Sequence, residues 1–256
     1  MGMFVNHTTY IGIDPTAGTR PLTYAALDGE LGLAALGQAD LNDTLAFVAG
    51  QRQALVAVSA PPRPNQRLME RAEVRARLTP PPRPGKWGDF RLAEYLLRQR
   101  RIRCPKTPAQ EADCPTWMQQ GFRLYHRLES LGCAPYPTQS ALQWVEVYPH
   151  ACYCVLLGQA PFPKNTFEGR VQRQLAMYER GVDVRDAMRL FEEITRHHIL
   201  QGVLPLETLY TPPELDALAA AYTAWRLAHQ PRQTLLLGDP TEGQVLLPVG
   251  ELKSRY

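Results

Sequence analysis

The sequence predicts an α/β fold with a mixed five-stranded sheet, helices on both faces and a helical insertion. Two observations predict this class. Short apolar runs bounded by Gly, Pro and Asp recur before residue 60, which is typical of buried strands. A segment with apolar residues at helical spacing comes before the last of these runs and indicates a crossover helix. The whole chain of 256 residues is predicted as one domain.

The first three strands are predicted over Tyr10–Asp14, Leu22–Leu27 and Leu31–Leu36. The first run is apolar and ends in a carboxylate, which is typical of a buried strand that stops at a functional edge. Asp28-Gly29 lies between the second and third runs and favours a tight hairpin turn, because glycine tolerates positive φ. The connection before the second strand is also short, so the three strands are expected to form an antiparallel meander.

A helix over Leu41–Gln51, with Asn42 as its N-cap, and a buried strand over Ala54–Ser59 are predicted next. Three prolines between residues 61 and 64 end this strand. A meander followed by a helical crossover places the fourth strand beside the first. This β-β-β-α-β order is the ribonuclease H-like order.

The remaining chain is predicted as a helical insertion followed by the rest of the domain. The insertion covers about residues 63–140. The later elements are helices over Asp89–Arg101, Thr116–Leu131, Val184–Leu200 and Pro212–Ala228, a fifth strand over Ala141–Tyr148, and a hairpin of Thr234–Leu237 with Val245–Leu247.

Basic residues are concentrated in the insertion. Between Arg63 and Lys106 there are thirteen Lys and Arg against four Asp and Glu, although the whole chain carries a net charge of only +3. A concentrated basic segment is suited to bind the negatively charged phosphates of a nucleic-acid backbone. Nucleic acid, either DNA or RNA, is therefore the predicted partner. The alternative is that these residues form solvated helix faces.

The same sequence predicts a cytoplasmic protein that does not enter a membrane. It contains no apolar run of about 18 to 20 residues. Its start, Met1 to Thr9, lacks the features of a secretory signal. The five cysteines are odd in number and irregularly spaced, which indicates reduced thiols. Cys152 and Cys154 lack the second pair that a structural zinc site needs.

Three acidic residues are the candidate catalytic and metal-binding residues. Asp14 ends an apolar strand, Glu146 lies inside another, and Asp216 is predicted in the first turn of a small-residue helix. A buried carboxylate is costly unless it pairs with a cation or faces a cleft. If the three converge on one sheet edge, Mg²⁺ or Mn²⁺ would suit them and would support phosphodiester hydrolysis. His150 is the candidate proton shuttle or hydrogen-bond partner of Glu146.

Four motifs in this chain resemble domain-of-unknown-function family 429, whose members are described as predicted nucleases with a ribonuclease H fold. They are G-I-D-x-x-x-G at Gly12–Gly18, V-A-V-S-A-P at Val56–Pro61, E-V-Y-P-H-A at Glu146–Ala151 and D-A-L-A-A-A at Asp216–Ala221. The resemblance implies that Asp14, Glu146 and Asp216 are the acidic set.

One position departs from the family pattern, because Ser59 stands where an aspartate is usual. A hydroxyl cannot bring the same charge to a cation, so another residue would have to replace it. Glu111, Asp113 and Glu242 are the candidates for that role.

Three functions are therefore open. The first is a metal-dependent nuclease. The second is a phosphotransferase of the actin-like group, which starts with a similar strand but needs a second glycine-rich phosphate loop that this sequence lacks. The third is a non-catalytic nucleic-acid-binding or interaction module on a degenerate nuclease fold, which Ser59 favours.

Overall fold

An open sheet of eight strands lies at the centre of the part of the chain that the computed structural model describes, residues 8–16, 20–82, 85 and 87–256. Gly18, Arg83 and Lys86 lie outside these residues. The strands are β1 (Thr8–Asp14), β2 (Leu22–Leu27), β3 (Leu33–Ala39), β4 (Gln53–Val58), β5 (Ala134–Pro135), β6 (Leu142–Val147), β7 (Leu235–Asp239) and β8 (Gly243–Leu247). Their order is β3-β2-β1-β4-β6-β8-β7, and β5 pairs with the start of β6.

The sheet is mixed. β1, β2 and β3 form the predicted antiparallel meander, and β4 lies beside β1 as predicted, in parallel orientation. β6 is parallel to β4, and Ile13, Val58 and Glu146 are in register across the three central strands. The expected number of five strands was wrong, because the closing β7–β8 hairpin joins the same sheet through β8 and the short β5 was not predicted.

The turn between β2 and β3 differs from the predicted tight hairpin. Asp28 Oδ1 accepts hydrogen bonds from the backbone N–H groups of Glu30 and Gly32, at 2.9 and 2.8 Å. The positive φ falls on Leu31, at 65°, and not on Gly29. The aspartate side chain therefore organises a longer loop, and β3 begins at Leu33 instead of Leu31.

Nine helices accompany the sheet within the described residues. They are α1 (Leu41–Ala49), α2 (Ala72–Ala76), α3 (Leu92–Gln99), α4 (Thr116–Ser130), α5 (Pro149–Leu157), α6 (Phe167–Tyr178), α7 (Arg189–Glu193), α8 (Arg196–Gln201) and α9 (Pro212–His229). No described helix is of a length and apolarity that would cross a membrane. All five cysteines are free and buried.

Several helix predictions need correction. Asp40, not Asn42, caps α1, because its side chain accepts a hydrogen bond from Asp43 N at 2.9 Å. The single helix predicted over residues 184–200 is two short helices, and Thr195 caps the second of them. α5 and α6 were not predicted. α5 has the sequence PHACYCVLL, which is apolar around most of its circumference and so shows no amphipathic stripe.

The two faces of the sheet carry different helices. α9 crosses β1, β2 and β4 on one face, with α5 packed beside it, while α4 contributes to the core under Ile13 and Val58 on the other. α9 lies so close to β1 that a Cβ atom on Gly12 would stand 1.9 Å from Ala217 O. Since side chains alternate along a strand, Gly12 and Asp14 face α9, whereas Ile13 and its in-register neighbour Glu146 face away from it.

Candidate active site

Asp14 and Asp216 form a pair of carboxylates at one end of the sheet. Asp14 is the last residue of β1, and Asp216 lies in the second turn of α9, which packs on β1. The prediction that Asp216 lies in the first turn was wrong, because Thr211 caps the helix and Glu214 fills the acidic position of the first turn. The crossing of α9 over β1 therefore brings together two acids that are about two hundred residues apart.

The environment of this pair favours the protonated form of Asp14. The pKa of Asp14 is raised to about 7, chiefly by burial and then by the negative charge of Asp216, while the charge of Lys164 opposes the shift. Burial also raises the pKa of Asp216, against the charges of Lys164 and Arg173. Two buried carboxylates this close need positive charge nearby if both are to be ionised.

Lys164 supplies one positive charge directly. Its Nζ atom lies 2.6 Å from Asp216 Oδ2, and its side chain is 49% exposed against 9% for Asp216. Lys164 belongs to the connection between α5 and α6, so the ammonium group reaches the buried carboxylate from the solvent side. Sequence reasoning did not identify this residue, and the surrounding P-F-P-K-N-T stretch carries no motif that would have done so.

Arg173 of α6 supplies a second, buried positive charge. Its Nη1 atom donates to the backbone oxygens of Phe162 and Gly169, at 2.7 and 3.0 Å. Its guanidinium carbon lies 5.2 Å from the centre of the Tyr153 ring. Its Nε atom is buried without a hydrogen-bond partner among the described residues. Arg173 thus adds positive potential near Asp216 without forming an ion pair with it.

His150 lies in the first turn of α5, on the edge of the same site. Its pKa is lowered to about 4, chiefly by burial and then by the charges of Arg173, Lys164 and Arg103. The imidazole is therefore neutral near pH 7. Its Nε2 atom lies 3.7 Å from Cys154 Sγ. The predicted hydrogen bond between His150 and Glu146 is not formed, because Glu146 turns to the opposite face of the sheet.

Ser59 follows β4 directly and lies next to Asp14 in the sheet. Its backbone N–H donates to Ile13 O at 2.8 Å, which continues the β1–β4 ladder. Its hydroxyl oxygen is buried and has no hydrogen-bond partner in the part of the chain that the structure describes. Ser59 lines a small cavity of about 20 Å³, space for about one water molecule, whose walls include Arg91 and Glu146 and not Asp14 or Asp216.

Glu146 is held by an arginine on the other face of the sheet. Arg91 Nη1 and Nη2 donate to the two carboxylate oxygens of Glu146, at 2.9 and 2.5 Å. Burial raises the pKa of Glu146, and Arg91 counteracts that shift. Both side chains are nearly inaccessible, at 3% and 4% exposure. The structure therefore brings Asp14 and Asp216 together but places Glu146 in a separate, sealed ion pair.

Further carboxylates surround Arg91. Glu94 Oε1 accepts from Arg91 Nε at 3.0 Å and from the Thr107 hydroxyl at 2.5 Å. Glu242, a suggested substitute for the missing aspartate, instead accepts from the backbone N–H groups of Leu68 and Leu92, at 3.1 and 2.9 Å.

Neither of the other two suggested substitutes supplies the carboxylate that Ser59 replaces. Glu111 and Asp113 are exposed in a short 3₁₀ helix. Across the described ranges, no group of three or more His, Cys, Asp or Glu side chains is arranged to hold a metal ion.

The family described as "Protein of unknown function (DUF429)" matches residues 12–242, which cover most of the chain. This range includes all four motifs quoted above and every residue of the Asp14–Asp216 site. No curated protein and no solved structure matches the chain.

Proposed function

The chain belongs to family DUF429, and from its site we propose that it is a divalent-metal-assisted hydrolase of nucleic-acid phosphodiester bonds, centred on Asp14 and Asp216. The observation that carries this proposal is the carboxylate pair itself: half-buried Asp14 at the end of β1 beside buried Asp216 of α9, with a pKa of about 7 for Asp14. Such a pair is unfavourable unless a cation neutralises it, and perturbed carboxylates of this kind concentrate at functional sites.

The residues present are compatible with a hard cation. Asp14 and Asp216 would offer carboxylate oxygens to Mg²⁺ or Mn²⁺, which prefer hard oxygen ligands. When bound, such an ion activates water and stabilises the charge that develops on phosphate oxygens. Because Asp14 is about half protonated near pH 7, it must release a proton to act as a ligand.

The sheet order supports assignment to the ribonuclease H-like class. The meander of β3, β2 and β1 continues into the parallel strand β4, which is the order of that fold. Asp14 stands at the carboxyl end of the first strand, where open α/β sheets commonly bind their ligands. Fold alone does not fix function, so the site carries the argument.

Nucleic acid is the substrate that the surrounding charges favour. Arg103, the last arginine of the basic segment, is exposed, and its backbone oxygen accepts from the Tyr148 hydroxyl at 3.1 Å. After burial, the charges of Arg173, Lys164 and Arg103 lower the pKa of His150, so these three cations lie around the site. Neutral His150 would serve as a hydrogen-bond partner of substrate and not as a base.

The test is cleavage of single- and double-stranded DNA and RNA with Mg²⁺ or Mn²⁺ by the wild type, Asp14→Asn and Asp216→Asn. We expect both variants to fold and to lose at least about 100-fold in rate, because each removes a charged ligand. Asp113→Asn, at an exposed position, is the matched control and should keep full activity. Cleavage that persists in Asp14→Asn would exclude this site.

A second function, nucleic-acid binding without catalysis, is favoured by one observation. Lys164 already neutralises Asp216 at 2.6 Å, and Ser59 stands where the family pattern has a carboxylate. A filter-binding assay on the same nucleic acids separates the two functions. Binding without cleavage at any metal concentration would support the module.

A further inference from the structure

We propose that Lys164 is a replaceable counter-ion, which holds Asp216 in the metal-free protein and gives it up to a divalent cation. This inference rests on the metal-dependent function proposed above. In this proposal Lys164 controls how readily the site takes up metal. It is then a positioning residue and not only one half of a surface ion pair.

The backbone around Lys164 is fixed on both sides. Phe162 N donates to the Gln172 side chain at 2.8 Å, and Phe162 O accepts from Arg173 at 2.7 Å. Pro163 O accepts from the Thr166 hydroxyl at 3.0 Å. The same oxygen lies so near α6 that a Cβ atom on Gly169 would stand 1.9 Å from it.

The lysine side chain, in contrast, is half exposed to solvent. It is 49% exposed, whereas its partner Asp216 is 9% exposed. An ammonium group on a flexible stem can return to water at little cost, but the buried carboxylate cannot remain without a cation. Exchange of one cation for another at Asp216 is therefore the change that this geometry permits.

Glu146, a buried carboxylate of β6, has the opposite arrangement. Glu146 is held at both oxygens by Arg91, and both side chains are almost inaccessible, at 4% and 3%. A planar guanidinium in a sealed pair cannot exchange with solvent cations. The same chain thus contains a permanent counter-ion for Glu146 and an exchangeable one for Asp216.

The experiment is a calorimetric titration of the full chain with Mn²⁺ at pH 8.0, above the pKa of about 7 of Asp14, so that protons compete little. We expect Lys164→Met to bind Mn²⁺ roughly five-fold or more tightly than the wild type, because a competing cation is gone. Lys164→Arg keeps the charge and should restore the weaker binding. The metal-free Lys164→Met protein should melt at a lower temperature.

Lys106→Met is the matched control. Lys106 lies 2.8 Å from Asp89, and its side chain has the same 49% exposure as that of Lys164, but it is not part of the carboxylate site. Its loss should leave Mn²⁺ affinity unchanged.

The outcomes separate the two proposals. Equal or weaker Mn²⁺ binding by Lys164→Met, with binding intact in the wild type, overturns the counter-ion role and leaves the metal-dependent function standing. If neither protein binds Mn²⁺, the metal-dependent function itself fails. A readout without any variant is the ¹⁵N shift of Lys164 Nζ in the wild type during Mg²⁺ addition, which should move toward that of a solvated lysine.

Discussion

Replacement of Arg91 by methionine should destabilise the protein more than removal of any exposed charge. Arg91 is the partner of Glu146 and Glu94, and its Nη1 atom also donates to Glu242 O at 3.2 Å. Burial alone would lower the pKa of Arg91, but these carboxylates raise it above its ordinary value. Methionine fills similar volume and removes the charge, so Glu146 is left buried and uncompensated.

The expected loss is about 3 to 5 kcal/mol of unfolding free energy, the usual cost of removing one partner from a buried ion pair. In a chain of this size that corresponds to a fall of roughly 6 to 20 °C in Tm. Burial already raises the pKa of Glu146 in the folded protein, and the variant raises it further. A carboxyl with a raised folded-state pKa costs stability as pH increases, so the variant should lose more at pH 8 than at pH 5.

Urea denaturation at pH 5 and pH 8, followed by tryptophan fluorescence, measures both effects. Arg127→Met is the matched control, because Arg127 is exposed on α4 and makes one hydrogen bond of 3.3 Å to Asn42. The control should change stability by less than about 1 kcal/mol. A loss of that small size in Arg91→Met, or a loss that is equal at both pH values, would refute the assignment of Glu146 to a charged, sealed pair.

Three other predictions concern the face of the sheet that α9 covers. Gly12→Ala should cost about 3 kcal/mol or more in urea denaturation, because its Cβ would meet Ala217 O at 1.9 Å, whereas Gly29→Ala, with open space around it, should be close to neutral. Asp14→Asn should raise Tm more at pH 8 than at pH 5, because the raised pKa of Asp14 removes stability as pH rises towards about 7; an equal gain at both pH values would contradict that pKa. Asp216→Asn should lower the pKa of Asp14, seen by ¹³C NMR of the carboxyl carbons, since the charge of Asp216 is one of its causes.

Local patterns were sufficient to predict the centre of the fold. The apolar runs at Tyr10–Asp14 and Leu22–Leu27 match β1 and β2 closely, and the meander and the parallel fourth strand follow from short turns and a crossover helix. Predictions weakened where tertiary contacts decide the structure. α5 has no amphipathic pattern because it is buried on most sides, and the helix expected over residues 184–200 is interrupted by the cap at Thr195.

The candidate site was predicted in part. Asp14 could be identified because it ends an apolar strand, and Asp216 because it precedes a run of small residues that packs closely on the sheet. The positions of the counter-ions could not be predicted. Arg91 and Lys164 reach Glu146 and Asp216 from segments remote in sequence, and nothing local marks either cation as the partner of that acid.

The choice of counter-ion decides which of the buried acids can take part in chemistry. Glu146 was proposed beside Asp14 because a carboxylate inside an apolar strand needs a partner, yet strand alternation sends their side chains to opposite faces. On one face, the Arg91 guanidinium neutralises Glu146 in a pair whose side chains are only 3% and 4% exposed. On the other, a half-exposed ammonium neutralises Asp216 while Asp14 stays close to its titration midpoint at neutral pH. Only the second arrangement can exchange its cation and its proton with solvent, so reactivity should be sought at Asp14 and Asp216, with Glu146 as the residue that stabilises the sheet beneath them.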